Sequence, residues 1–132
     1  MKRYLLDTDV CSYFIKGTNP VLNRRIIAHD GALCMSVITL AELRFGAKKN
    51  GSSRLPVAID RLTEVVEVLP WLGSAAHHYA TLRHALESGG EPIGSMDMLI
   101  AAAALDCGAT LVTHNLAHFS RVPGLAVIDW SV

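Results

Sequence analysis

Arg3-Tyr4-Leu5-Leu6-Asp7, running on to the helical stretch Ser12 to Lys16 and its stop at Gly17, decides the fold class. Residues 3–6 suit a short buried strand, and the run ends on a carboxylate. The same alternation continues outward. Pro20 stands at the first turn of a second helix reaching about His29, where its missing N–H removes no intrahelical bond. Ala32 to Met35 reads as the next strand. Ser36 is a natural N-cap for a helix running to Phe45, with Gly46 near its end. Ser53 to about Leu62 is helical, with Pro56 tolerated in its first turn. Val65-Val66-Glu67-Val68-Leu69 is β-branched and short, hence a strand. Gly73 to Ser88 is a long helical stretch closed by Gly89-Gly90. Ser95 caps a helix to about Cys107, with Gly108 as its stop, and Ala109–Val112 and Leu125–Asp129 complete the strands. Strands alternating with helices imply crossover connections and a parallel sheet covered by helices, an α/β fold.

Composition bounds the function. The 132-residue chain is 51% hydrophobic and 18% charged, which argues for one domain over residues 1–132 with a filled core and against disorder. No apolar run approaches the roughly 20 residues needed to span a bilayer. Met1-Lys2-Arg3-Tyr4-Leu5-Leu6-Asp7 meets a carboxylate too early for a signal peptide, so a cytoplasmic protein without membrane contact is expected. Cys11, Cys34 and Cys107 are odd in number and flanked by apolar or small residues, as buried thiols in a reducing compartment would be. The 12 basic and 12 acidic residues cancel. Nucleic-acid binders usually carry an excess of positive charge, so this balance weighs against such a role unless much of the acid is gathered in one metal site.

Functional groups in open parallel sheets collect beyond the carboxyl ends of the strands. Asp7 directly follows the first strand. Asp97 lies in the first turn of a helix after the extended Pro92-Ile93. Glu42 sits about one turn inside the helix that begins at Ser36, free to face a cleft while Leu40 and Leu43 face the core. Each acid alone has an ordinary structural explanation: a helix cap for Asp7, an exposed helix position for Glu42, a dipole-favoured first turn for Asp97. Their apolar surroundings, Tyr4-Leu5-Leu6 before Asp7 and Met98-Leu99-Ile100 after Asp97, make ionisation costly without a positive partner. A divalent cation resolves the repulsion among three such carboxylates. All-oxygen donors suit Mg²⁺ or Mn²⁺ rather than zinc, and such a site supports hydrolysis of phosphodiesters by water with no protein nucleophile.

Four segments in order resemble the PIN-domain nucleases, and within them the VapC-type toxins. They are Leu5-Leu6-Asp7-Thr8-Asp9-Val10, then Ser36-Val37-Ile38-Thr39-Leu40-Ala41-Glu42-Leu43-Arg44-Phe45-Gly46, then Asp97-Met98-Leu99-Ile100-Ala101-Ala102-Ala103-Ala104. The tail Thr110-Leu111-Val112-Thr113-His114-Asn115-Leu116-Ala117-His118-Phe119 with Val122-Pro123-Gly124-Leu125 is the fourth. The likeness extends from about residue 3 to residue 130. It implies a three-layer α/β/α fold with a central parallel sheet of four to five strands. It implies Asp7, Glu42 and Asp97 as catalytic, metal-binding acids, with Thr8, Asp9, Thr113 and Asn115 in support. The family often has a fourth acid where this chain has Asn115, which offers a carbonyl oxygen but no charge, so a second tightly held metal is in doubt. The resemblance further implies a Mg²⁺-dependent endoribonuclease, with Mn²⁺ as an alternative ion, acting on tRNA or ribosomal RNA. It implies the toxin role in a type II toxin–antitoxin pair: a cognate VapB-type antitoxin, a homodimer, a higher toxin–antitoxin complex, and DNA contact only through the antitoxin.

Other residues carry weaker signals. Arg44, Lys48 and Lys49 on the Glu42 helix, and His114 beside Asn115, are candidates for RNA contact. His118 also flanks Asn115. His77, His78 and His84 suit surface or packing roles, because adjacent helical residues point about 100° apart. Trp71 and Trp130 suit packing near strand ends. Asp7-Thr8-Asp9 also has the Asp-x-Asp form of haloacid-dehalogenase-type phosphatases. That class needs a late lysine, and none follows Lys49; it also needs a glycine where Val10 stands. A catalytically weak PIN module that binds only RNA or a partner is the remaining alternative, supported by Asn115.

Overall fold

The computed structural model describes residues 2–132. In chain order the elements are β1 (Tyr4–Leu6), α1 (Thr8–Lys16), α2 (Pro20–Ala28), β2 (Leu33–Ser36), α3 (Val37–Asn50), α4 (Arg54–Val65) and β3 (Glu67–Leu69). They continue with α5 (Gly73–Ser88), α6 (Ser95–Cys107), β4 (Thr110–Val112), α7 (Leu116–Phe119) and β5 (Val127–Ile128). The described strands form a five-stranded sheet in the order β3-β2-β1-β4-β5, with every neighbouring pair parallel.

Alternation along the strands explains the three layers. Side chains of successive strand residues leave opposite faces. Leu5, Cys34 and Leu111 join one core with α5 and α6, built on Ile100, Ala101 and Ala104 and closed by Phe119. Leu6, Met35 and Val112 join the other, with α1, α2, α3 and α4 supplying Val10, Leu22, Leu43 and Ile59. Both faces of the central strands are covered, so they are mostly apolar, as a parallel sheet requires, while the edge strand β3 carries the exposed Glu67.

The strand order reverses at β1. The chain moves from β1 out to β2 and β3, then returns to place β4 on the other side of β1. A crevice opens beyond the carboxyl ends of two strands at such a reversal. Asp7 follows β1 there, and Thr113 follows β4.

Several boundaries differ from the sequence reading. Helix α1 begins at Thr8, not Ser12, because Asp7 itself is the N-cap, its side chain accepting from the Val10 N–H. Helix α3 passes through Gly46 and stops four residues later, at Asn50. Buried Ala47 holds the extra turn against the core, and Gly51, with φ +75°, supplies the left-handed stop. The cap of α6 is Gly94, and Ser95 is its first residue. Helix α7 was not expected; at four residues it is too short to show a periodic pattern.

Candidate active site

Asp7 is 6% exposed. Its backbone N–H donates to Val112 O at 3.1 Å, which ties the end of β1 to β4, and its Oδ1 accepts the Val10 N–H at 2.8 Å. Thr113, fully buried, accepts the Asn115 N–H on its hydroxyl oxygen at 3.0 Å, and the hydroxyl proton is directed to Asp7. Burial nonetheless pushes the Asp7 carboxyl up from 3.8 to about 6. The bonds from Thr113 and Val10 oppose that rise, while the charges of Asp9 and Asp97 add to it.

Glu42 approaches the start of α1 from α3. Its Oε1 accepts the Thr8 hydroxyl at 2.5 Å, and Thr8 Oγ1 lies 3.3 Å from the buried hydroxyl of Thr39. Thr39 is one turn before Glu42, so both share a side of α3. Thr8 therefore joins the residue after β1 to the face of α3 that carries the acid. Glu42 is half-buried, and among the described residues neither it nor Asp7 has a Lys, Arg or His ion-pair partner.

Asp97 occupies the first turn of α6 and folds back over the helix start. A Cβ built on Gly94 would stand 3.6 Å from its Oδ2. Burial raises its carboxyl, opposed by His118 and reinforced by the charge of Asp9. His118 Nε2 lies 3.0 Å from Asp97 Oδ2, close enough to pair when the ring is protonated, yet it is hidden from water without a well-aligned acceptor. Asp7 caps α1 and Asp97 begins α6, so the positive ends of two helix dipoles point at the acids.

Asp7 and Asp97 thus lie within reach of each other's charge and Thr8 draws Glu42 toward the residue that follows Asp7, although among the described residues no three His, Cys, Asp or Glu side chains are grouped closely enough to hold a metal ion. The donors on these residues are carboxylates and the hydroxyls of Thr8 and Thr113. That set fits a hard divalent cation and not a thiophilic one. A buried carboxylate lacking a cationic partner is where such an ion lowers the free energy most.

The supporting residues divide. Thr8 and Thr113 contact the acids. Asp9 is exposed in the first turn of α1 and reaches Asp7 and Asp97 only through its charge. Asn115 is exposed at the start of α7, its side chain making no cap bond. His114 Nδ1 lies 2.9 Å from Ser131 Oγ and 3.1 Å from Asp129 Oδ2, leaving the rest of an exposed ring at the cleft's edge. No local pattern points to Asp129, whose role depends on the last strand lying beside β4.

The basic candidates on α3 do not act together. Arg44 is two residues from Glu42, on the far side of the helix, where it donates to Asp60 at 2.6 Å and to Pro56 O at 3.4 Å. Lys49 is seven residues from Glu42 and shares its side. A groove of about 730 Å³ lies apart from the acids between α1 and α4, with Phe14, Leu55, Val57 and Val65 as apolar lining and Lys16, Arg54 and Arg61 among them. No described helix is long and apolar enough to cross a membrane.

Comparison with known proteins agrees with this geometry. The model of the PIN domain matches residues 4–125. The chain is 35% identical to the tRNA(fMet)-specific endonuclease VapC of Shigella flexneri, over 99% of this chain and 100% of that protein. Its structure is similar to that of DNA-bound VapBC from Salmonella typhimurium, with TM-score 0.91 and 34% identity over 98% of this chain and 99% of that one. It is likewise similar to VapBC2 from Rickettsia felis bound to a DNA fragment from their promoter, with TM-score 0.89 and 31% identity over 96% of this chain and 98% of that one. The acids, the strand reversal beneath them and the matched residues all lead to one conclusion: the chain belongs to the PIN-domain family.

Proposed function

We propose that this chain is an endoribonuclease that uses Asp7, Glu42 and Asp97 to hold Mg²⁺ beside RNA, and that it is the toxin of a toxin–antitoxin pair. Divalent-metal dependence is general among PIN-domain ribonucleases; Mg²⁺ as the ion is the finer part of this reading. The observation that carries it is Asp7, buried and, among the described residues, unpaired by any base, followed by Thr8, whose hydroxyl donates to Glu42, and within the field of Asp97. When bound, a divalent ion activates water and offsets the charge that develops on the phosphate.

The chain's own residues then do the positioning. Thr113 and the Val10 N–H fix the Asp7 carboxylate, and Thr8 fixes that of Glu42. His118 sets the orientation of Asp97. Asn115 and His114 stand at the edge where an RNA backbone would enter, with Lys49 farther along the Glu42 side of α3. A single PIN domain acting in the cytoplasm suffices for this chemistry. The tRNA specificity in the name of the Shigella relative makes tRNA the first substrate to try.

The antitoxin reading rests on the groove between α1 and α4. Its apolar lining interleaved with Lys16, Arg54 and Arg61 suits an amphipathic segment carrying acidic residues, and the VapBC complexes named above support an antitoxin as its occupant. DNA contact then belongs to the assembled complex, and a toxin homodimer would set its symmetry. Cleavage of total RNA and of purified tRNA tests the nuclease: activity is expected with Mg²⁺ and is lost with EDTA or in Asp7→Asn. Cleavage that survives both treatments contradicts it. Val57→Asp, half exposed in the groove, is expected to weaken antitoxin binding while cleavage stays intact; unchanged binding would remove the groove from the account.

A further inference from the structure

Just past the carboxyl ends of β4 and β5, the last residues of the chain hold a histidine in place. Val112 O accepts the Asp7 N–H at 3.1 Å, and the Thr113 N–H donates to Ile128 O at 3.0 Å, so His114 follows the point where β4 meets both the acid and β5. The His114 side chain is 64% exposed, yet its Nδ1 lies 3.1 Å from Asp129 Oδ2 and 2.9 Å from Ser131 Oγ. The Asp129 side chain is only 10% exposed, and its Oδ1 accepts the Ser131 N–H at 2.8 Å and the Ser131 hydroxyl at 2.5 Å. Trp130, between the two, turns away into the core beside Tyr4 and His29.

The fold does not depend on this ring. Trp130 is 3% exposed and stacks on His29 at a ring separation of 4.4 Å, Asn19 Nδ2 donates to Ser131 O at 3.2 Å, and Arg25 donates to Asp129 O at 3.5 Å. The tail is thus fastened without His114, and a side chain left mostly in solvent buries little area. The network fixes the histidine rather than the reverse. It also fixes where the proton of the neutral ring sits. Burial raises the Asp129 carboxyl, but bonds from Ser131 and His114 outweigh it and hold it below the usual range, so it stays ionised and only accepts. The Ser131 hydroxyl commits its proton to Asp129. Nδ1 therefore carries the ring proton, and Nε2 is an acceptor with no hydrogen-bond partner among the described residues.

An RNA backbone offers such a nitrogen one donor. Phosphodiester oxygens only accept, whereas the 2′-hydroxyl can donate, and it is the group that separates RNA from DNA. We propose that His114 is a specificity-determining residue of the endoribonuclease, its Nε2 accepting the hydrogen bond of a ribose 2′-hydroxyl, with Asp129 and Ser131 as the positioning residues that present it. This role rests on RNA being what the acids cleave, and adds how the sugar is recognised beside them.

The test reads binding to the full-length protein at pH 8 in EDTA, so that affinity is measured without cleavage. The tightest binder among synthetic tRNA stem–loops is remade with 2′-fluoro in place of the 2′-hydroxyl at one nucleotide at a time. In wild type one position should weaken binding roughly two- to tenfold, the worth of one neutral hydrogen bond. In His114→Phe that position should become indifferent, while the unmodified RNA binds more weakly by the same factor. Two-bond ¹H–¹⁵N spectra of the free protein should show Nε2 bare in wild type and protonated in Asp129→Asn, whose amide can donate to Nδ1. Failure to bind RNA, indifference of wild type to every position, an unchanged penalty in His114→Phe, or a wild-type proton on Nε2 would each overturn the proposal. Cleavage of the same RNAs with Mg²⁺ is followed separately. A protein that discriminates at one nucleotide but never cleaves would sink the nuclease and keep the His114 contact; one that cleaves with no such nucleotide would do the opposite.

Discussion

Asp97 and Cys107 stand near opposite ends of one helix, roughly 15 Å apart along α6, and their surroundings treat charge in opposite ways. At the first end burial pushes a carboxyl up, and Asp9 adds repulsion that His118 only partly answers. At the second, the neighbouring Cys34 and the charge of Arg3 lower the Cys107 thiol against the opposing effect of burial. A region that raises its acids stores a demand for positive charge. A region that already satisfies its anion has none to offer a metal. The difference locates the cation site at the carboxyl ends of β1 and β4 more sharply than the presence of acids alone.

The largest expected effect follows from removing that demand. Asp7→Asn keeps an oxygen to cap α1, so the fold should persist. Metal-dependent cleavage should fall on the order of 10³-fold, in line with the several kcal/mol a Lewis acid supplies. Metal-free stability should move the other way. The folded carboxyl sits near 6 against 3.8 when unfolded, so its protonated form is favoured by folding. The contribution is fully present below pH 3.8 and is lost as pH rises through about 6. A shift of that size corresponds to about 3 kcal/mol. At pH 7 the metal-free Asp7→Asn protein should therefore be more stable than wild type by up to that amount, and its urea midpoint should vary less between pH 4 and pH 7. A variant that is less stable at pH 7 would break the comparison.

His118 offers a smaller test. His118→Ala should weaken metal binding roughly tenfold, as loss of a group that orients a ligand does, while His118→Gln, which keeps an N–H donor, should recover part of it. Equal losses in the two variants, measured by metal titration, would show that His118 only fills space. The smallest effects belong to α3. Lys49→Ala should weaken cleavage of RNA several-fold and flatten its salt dependence. Arg44→Ala should leave cleavage nearly unchanged and cost no more than about 1 kcal/mol, because its partner Asp60 is a surface acid. Reversal of that order in a cleavage assay would place RNA on the other side of the helix.

The sheet was legible because short apolar runs between helices admit few arrangements. Tyr4–Leu6 and Thr110–Val112 are strands close to where the pattern put them, and both faces of each are covered. Helix ends were less so. Gly46 reads as a stop, yet it is exposed with open space around it, and the buried Ala47 decides that the helix continues. Asp7 was legible both as a cleft acid and as a helix cap, but the start at Ser12 did not follow from the cap, which begins α1 at Thr8. The three acids were named from local context and family pattern. The Thr8–Glu42 bond, the burial of Thr39 and the approach of His118 to Asp97 join residues far apart in sequence, and no periodicity encodes them. Arg44 shows the converse: its charge was visible, but Asp60, which occupies it, comes from the next helix.

The most direct test of the cation site is a Mg²⁺ titration at pH 7 followed by thermal unfolding of wild type and Asp7→Asn. Wild type should start lower and rise with the ion, by about 2.7 kcal/mol at a hundredfold excess over its dissociation constant, while Asp7→Asn should start higher and stay there. Equal rises in both proteins, or no rise in wild type while it still cleaves RNA, would contradict a site built on Asp7.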